Sequence, residues 1–474
     1  MKISDINMYS LKRSKAFAIG QSFTILIFGS LLFACSDFVE VDPPKNTLIA
    51  ETVFEDPATV ESTLANLYFD IRERGMVSGT YGIMPALAIY SDEMDYYGLN
   101  ADLSQFNQHS LSAANNRIQE WWQQAYHLIY GANDIISGVE ASKSLTEIEK
   151  ANFRGQALII RAYLYSLLVP LFGDVPYVDT TDYLVNNTIS RSSRDEIYDH
   201  IITDLEHAIT LLDGLDISGT ERIIPDAHVA QALLARTYVY REEWELARSM
   251  ATELIEAFQL EPDLDQVFLK ESRETIWQLQ ADPDNFPTNT REAGELIIEA
   301  IPGQSYALSE SLLAAFEDDD LRYGHWVDSM SNSDNTVTLY YAHKYKAGLD
   351  ETQSLEYSIV LRLAEQYLIR AEARARSGEL AGARADLNMI RSRAGRPNTS
   401  ATTEPALLEE ILEERRLELF TEQGHRWFDL KRTENAGTVL SDIKPGWRET
   451  DLLLPIPETE LSANPNLLHQ NPGY

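Results

Sequence analysis

Apolar side chains recur at three- and four-residue intervals over most of this chain, the period of helices that bury one face. Between Ala58 and Arg74 the positions are Val60, Leu64, Leu67, Tyr68 and Ile71; between Ile118 and Val139 they include Trp121, Trp122, Ala125, Leu128, Ile129, Ile135 and Ile136. The stretch from Ile148 to Leu171 is almost continuously apolar in its second half and runs into Phe172-Gly173-Asp174-Val175-Pro176. It predicts a central helix buried on all sides and stopped by glycine and proline. The next helix is predicted to reach Leu212, with Ser193 or Ser192 as N-cap and Ile197, Ile201, Leu205 and Ile209 facing inward.

Two segments predict helical hairpins. In one, the apolar positions from Val229 to Val239 lead through Glu242-Glu243 to those from Trp244 to Ile255; in the other, Leu363 to Ala375 lead through Ser377-Gly378 to Leu380–Ile390. Small alanines where two helices cross, larger residues between them and a glycine turn resemble tetratricopeptide repeats. With pairs near 118–170 and 194–256, three to four hairpins are expected, too unevenly spaced for a simple solenoid. The scaffold therefore occupies 51–260 and 355–435. Residues 75–112 and 260–355 break the period: they are rich in Gly, Pro, Tyr, Asp and Asn and predict loops, short strands and one short helix near Ser309–Phe316. Long irregular stretches inside a helical scaffold are usually where ligands bind.

The N-terminus has another pattern. Lys2, Lys12, Arg13 and Lys15 precede an apolar run from Ala16 to Ala34, and the single cysteine of the chain, Cys35, follows at once. A basic start, an apolar middle and a small residue before the cut is the layout of a secretory signal. Leu32-Phe33-Ala34-Cys35 resembles the lipobox of bacterial lipoproteins, so 1–34 is expected to be removed and Cys35 to carry lipid. The segment 35–50 would then be a tether. A plain membrane anchor is the alternative, weakened by Gly20, Gln21, Ser22, Thr24 and Ser30 within the run. With Cys35 lipidated, no thiol remains for disulfides or thiol chemistry.

Composition narrows the partners. There are 74 Asp and Glu against 39 Lys and Arg, a net charge of −35, and loss of 1–34 takes it to about −38. Such a surface argues against nucleic acid, whose phosphates need clustered basic residues. No His-Glu-x-x-His, Gly-x-Ser-x-Gly or phosphate-binding glycine loop occurs, so no catalytic residue and no cofactor is assigned. Asp318, Asp319 and Asp320 offer hard oxygens to a cation, but a run of three aspartates is more often a solvated turn. The charged helix from Leu407 to Gln423 is read as structural, its Glu and Arg pairing at i,i+3 and i,i+4, with Arg415 or Arg426 fixing neighbouring segments.

The aromatics carry the candidate chemistry. Tyr81, Tyr96, Tyr97, Phe106, Phe286, Tyr306, Tyr323 and Trp326 all fall in the irregular regions, with Asn100 beside them. Exposed rings can stack on sugar faces, and amides both donate to and accept from hydroxyls. These nine are the ligand-binding candidates by position.

Four stretches carry a resemblance. They are Cys35-Ser-Asp-Phe-Val-Glu-Val-Asp-Pro43; Arg154 to Tyr163 continued to Leu171-Phe-Gly-Asp-Val-Pro176; Leu361-Arg-Leu-Ala-Glu-Gln-Tyr-Leu-Ile-Arg-Ala-Glu372 with 408–432; and Leu454-Pro-Ile-Pro457 through Gln470-Asn-Pro-Gly-Tyr474. The chain resembles the SusD/RagB outer-membrane lipoproteins of Bacteroidetes over 35–474, with 436–474 as the C-terminal signature. The resemblance implies a mainly α fold of about four tetratricopeptide-like hairpins with an irregular ligand-binding lobe. It implies a SusC-like TonB-dependent transporter as partner, a glycan as ligand and attachment to the outer membrane through the lipid, facing the cell exterior. Other readings are a peptide-binding uptake protein of the RagB kind, a surface hydrolase, and a repeat adaptor. Cys35→Ala is expected to shift the protein out of the membrane fraction while its circular dichroism stays unchanged; retention in that fraction would contradict lipidation.

Overall fold

A computed structural model describes residues 53–79, 81–282 and 287–474. The segment expected to be a signal, Cys35 and the expected tether lie outside the described residues, as does Phe286. The principal helices before the first hairpin are α1 (Pro57–Glu73), α2 (Ile83–Tyr90) and α3 (Ala101–Gln108). The repeat scaffold continues with α4 (Asn116–Ala141), α5 (Glu147–Phe172), α6 (Arg194–Leu212), α7 (Ala227–Tyr240) and α8 (Trp244–Ala257). After the irregular region, which holds α9 (Arg291–Leu296) and α10 (Leu321–Trp326), come α11 (Leu363–Arg376), α12 (Leu380–Arg393), α13 (Glu404–Leu419) and α14 (His425–Arg432). Mainly helical with few short strands, the fold is the tetratricopeptide-like arrangement the apolar pattern predicts. The stretch 75–112 is less irregular than its composition suggests, because α2 and α3 lie within it.

Local signals place the helix ends. Thr146 and Ser193 each form a capping box, with Glu149 and Glu196 three residues on, so Ser193 and not Ser192 caps α6. Asn115 and Asp226 cap α4 and α7 through their side chains. Gly378 turns α11 into α12 with φ +80°, a conformation that costs a residue with a Cβ more.

Each helix packs on its sequence neighbour: α5 on α4 and α6, α7 on α6 and α8, α11 on α8 and α12, α13 on α11, α12 and α14. The central helix is α5, in which every residue from Gly155 to Phe172 is buried. A Cβ on Gly155 would lie 2.5 Å from Leu212 Cγ, so glycine is what lets α6 approach this closely. Forked arginine–carboxylate pairs pin the row. Arg161 on α5 holds Asp204 on α6 at 2.8 and 2.7 Å. Arg236 on α7 holds Glu365 on α11 at 2.8 and 2.7 Å, and Arg432 on α14 holds Glu372 on α11 at 2.6 and 2.7 Å.

The strands are short antiparallel pairs. They are β1 (Met94–Tyr96) with β3 (Tyr306–Leu308), β2 (Thr275–Leu279) with β6 (Ser358–Arg362), and β4 (Val327–Ser331) with β5 (Thr338–Ala342). A two-residue pair, Val175–Pro176 with Arg191–Ser192, closes the exit of α5. The C-terminal signature straps this exit. Leu454 N donates to Leu171 O at 2.8 Å, and the Asn471 amide donates to Phe172 O and Leu454 O at 2.8 and 2.7 Å.

A buried ionic cluster joins the irregular region to the repeats. Arg362, at the end of β6, reaches Glu274 (3.0 Å), Glu418 (2.6 Å) and Glu422 (2.7 Å). Arg322 of α10 reaches Asp320 (2.7 Å), Glu414 (2.7 Å) and Glu418 (3.2 Å). Arg393 of α12 pairs with both Glu274 and Glu418. Burial opposes ionisation of Glu418, but Arg393, Arg362 and Arg322 win and hold its carboxyl well below the usual range. Asp320 is thus an N-cap bound to Arg322 and is not available to a cation, while Asp318 and Asp319 are exposed. The charged helix is structural as expected, but its pairs mostly leave the helix: Arg415 meets Asp429 at 2.7 Å and Arg416 meets Asp92 at 2.8 Å.

Breaking this cluster is expected to be costly. Glu418→Gln leaves three arginines without a shared carboxylate and should lower unfolding free energy by about 3–5 kcal/mol in urea titration. The acid limb follows from the same groups. Glu365, held down to about 2, and Glu418, Glu422 and Asp429, all held below their ordinary values, stabilise the fold fully above about pH 4.5 and lose that contribution as pH falls. His425, pushed down to about 4 by burial, acts in the same direction. Glu93 and Glu356, raised to about 8 and about 7 by burial, act oppositely, but their contribution is complete once pH reaches the ordinary value of 4.5. Thermal midpoints should therefore drop steeply below pH 4.5, with a shallower drop in Glu418→Gln.

Candidate functional site

The β1–β3 pair sets the geometry of the irregular lobe. Its register places Tyr96 opposite Tyr306, their rings 5.5 Å apart and tilted by 48°. Tyr97 N donates to Ser305 O at 2.8 Å, which leaves its ring outside, 46% exposed. The loop then wraps Tyr96: Asn100 N donates to the Tyr96 hydroxyl at 2.9 Å, and a Cβ on Gly98 would collide with that hydroxyl. Tyr81 stands nearby at 40% exposure with the Arg117 guanidinium 5.2 Å from its ring centre. Arg117 lies at the start of α4 and also interacts electrostatically with Tyr306 and Glu295. Burial raises the carboxyl of Glu295, Arg117 and Arg291 opposing it, and burial likewise raises the Tyr306 hydroxyl.

Tyr81, Tyr96 and Tyr306 thus come together near Arg117 and Glu295, while Tyr97 and Asn100 flank them along the chain. Tyr306 is a supporting ring, 3% exposed beneath Tyr96. The Asn100 side-chain oxygen caps α3 by accepting from Leu103 N at 3.1 Å. Tyr323 stands in a second patch, 37% exposed, with Phe316 at 5.7 Å and Tyr340 at 6.4 Å.

Two candidates are corrected outright. Trp326 is fully buried: its indole N–H donates to Leu264 O at 3.0 Å, Phe268 packs edge-on at 5.5 Å, and the Lys344 ammonium lies 4.9 Å from its ring. Phe106 is also fully buried, edge-on to Tyr90 and Trp121. Each sits on the inner face of a short helix that the glycine-rich composition concealed. Nearby amides are committed as well: Gln105 Oε1 accepts from the Asn115 amide at 3.0 Å and Asn107 Oδ1 from Lys444 at 3.2 Å. Arg117 and Glu295 escaped the sequence reading, because each looks like an ordinary helix-surface charge. A cavity of about 600 Å³ lies elsewhere, between α1, the start of α5 and the end of β2, walled by Leu64, Phe69, Phe153, Ile223, Ile224 and Leu279 among others.

Two family matches divide the chain. Residues 37–239 match a family described as starch-binding and associating with the outer membrane, and residues 301–474 match the SusD family. The chain belongs to the SusD/RagB family. A SusD-like protein P2 of Formosa agariphila is 28% identical, covering 95% of this chain and 99% of its own. A SusD-like protein of Bacteroides ovatus is 25% identical over 85% of this chain and 80% of its own. Among solved structures, a SusD superfamily protein from Bacteroides vulgatus superposes with TM-score 0.78 at 23% identity, covering 89% of this chain and 100% of that one. Surface glycan-binding protein A of Bacteroides thetaiotaomicron, solved in complex with laminarihexaose, superposes with TM-score 0.74 at 20% identity, over 87% and 99% of the two chains. At these identities the structural likeness establishes the SusD fold.

The two kinds of aromatic separate cleanly by mutation. Trp326→Ala is expected to lower stability by about 3–5 kcal/mol, as removal of a buried large ring does. Tyr97→Ala, at an exposed ring of this SusD-family lobe, should stay within about 0.5 kcal/mol of the parent in the same urea titration.

Proposed function

We propose that this chain is a cell-surface lipoprotein that binds oligosaccharides without cleaving them and passes them to a SusC-like TonB-dependent transporter. The observation that carries the reading is that the lobe exposes the rings of Tyr81, beside Arg117, and of Tyr97, which adjoins Tyr96 of the Tyr96–Tyr306 pair. An aromatic surface edged by charged and amide groups suits the apolar faces and hydroxyl rims of sugars. The family description and the laminarihexaose complex of the thetaiotaomicron protein point to the same ligand class. Lipid at Cys35 would hold the protein at the outer membrane, facing the exterior, where a transporter could receive the glycan. Binding and hand-over need no nucleophile, cofactor or metal.

Calorimetry of the lipid-free mature chain against neutral oligosaccharides, maltohexaose and laminarihexaose among them, and against peptide mixtures tests this. At least one glycan is expected to bind, and Tyr81→Ala with Tyr97→Ala should weaken it about tenfold or more, ~1.4 kcal/mol. Binding of peptides alone would move the protein to the peptide-uptake reading, and new reducing ends in the glycan incubations would make it a hydrolase. Co-purification of a TonB-dependent barrel with the tagged, membrane-extracted protein tests the partner.

A further inference from the structure

Away from the lobe, one side of α4 forms the wall of a groove of about 390 Å³. Gln123, Tyr126, His127 and Tyr130 line it, positions that share a helix face. Asn187, in the loop that follows the short helix Tyr183–Asn186, and Glu460, in the short helix Glu458–Ala463, face them from the other elements. Contacts between those elements fix the groove. Tyr126 donates its hydroxyl proton to Pro176 O at 2.8 Å, Gln123 donates to Glu460 Oε1 at 3.2 Å, and the Asn464 amide donates to Ile189 O at 2.8 Å.

The lining has a definite chemistry. Tyr130 keeps 45% of its surface exposed, and Tyr126 is half-buried with its ring tilted against Trp122 at 5.1 Å. Around these rings stand four amides, an imidazole and a carboxylate, groups that donate to or accept from hydroxyls. No lysine or arginine lines the groove, and Glu460 makes it acidic, which disfavours an anionic occupant. An alkyl ligand would strand the polar rim, whereas a sugar has both an apolar face and hydroxyls. We propose that this groove is a second saccharide site, taking a short neutral oligosaccharide. Tyr130 is its stacking platform, and Gln123, His127, Asn187 and Glu460 are its hydroxyl partners. Tyr130 is thirteen residues beyond Arg117 on α4, about 20 Å along the helix, so the two sites do not share a subsite. A glycan engaging both at once would gain avidity with no new contact.

The experiment compares the full mature chain with Tyr97→Ala, Tyr130→Ala and the double variant, titrated calorimetrically with maltohexaose and laminarihexaose. Tyr97→Ala should retain binding of one of these probes at the groove, and adding Tyr130→Ala should weaken that residual binding at least tenfold with an unchanged melting temperature. His127→Ala, also at an exposed position, repeats the test with a smaller side chain lost. Loss of all binding in Tyr97→Ala, or residual binding indifferent to Tyr130→Ala and His127→Ala, would overturn the second site and leave the lobe reading standing. Binding that survives Tyr97→Ala unchanged but falls with Tyr130→Ala would keep the groove and remove the lobe. No binding of either probe to the parent protein overturns both.

Discussion

One buried cluster of charges decides how the two parts of this molecule meet. Arg322, Lys344, Arg362 and Arg393 share Glu274, Asp320, Glu414, Glu418 and Glu422, and every one of these side chains is at most 9% exposed. Its members come from the residue before β2, the end of β6, the segment after β5, α10 with its N-cap, α12, and α13 with the turn after it, so no element can shift without leaving a charge unpaired in a dry interior. The energetic weight of such a cluster lies in the cost of breaking it, more than in any gain over an apolar core. It works as a register device, fixing the irregular lobe on the repeats in one arrangement. Lys344 extends it into the lobe by donating to Glu418 O and Phe420 O, both at 2.8 Å, with the Phe420 ring 3.9 Å away.

The same device recurs along the repeats. Helices built from alanine and leucine can slide on one another, since apolar contact is not directional. The forks Arg161–Asp204, Arg236–Glu365 and Arg432–Glu372 remove that freedom at successive joints. The C-terminal signature acts where the longest apolar helix ends. Leu454 and Asn471 satisfy carbonyls at the exit of α5 that would otherwise be buried without donors. A rigid scaffold of this kind can hold a loop-built binding surface in one shape, as preorganised recognition requires.

The candidate site was legible in outline. Glycine, tyrosine and asparagine in the irregular stretches pointed to Tyr81, Tyr96, Tyr97 and Tyr323, and these stand at or near the surface of the lobe. Composition failed where it masked short helices. Phe106 and Trp326 lie on α3 and α10, eight and six residues long, and at that length neither shows enough apolar period to reveal an inner face. Arg117 and Glu295 are separated by 178 positions and interact only once the chain has folded. The α4 groove was hidden differently: Trp122 read as part of one more buried stripe, which does run into the core on the Trp121 side, and Tyr126, His127 and Tyr130 drew no reading.

The chain by itself determined the local elements: helix positions, their caps at Asn115, Thr146, Ser193 and Asp226, and the burial of α5. Each of these depends on side chains within a few residues of one another. Its motifs also pointed to the family, since the strap from Leu454 to Tyr474 and the arginines at 161 and 432 lie in the stretches that carry the resemblance. Tertiary structure alone decided which aromatics are platforms and which are core, and which carboxylates are free and which are locked. Those outcomes depend on partners tens to hundreds of residues away, such as Leu264 for Trp326, Tyr306 for Tyr96 and Glu274 for Arg393. No local pattern in the sequence encodes those distances.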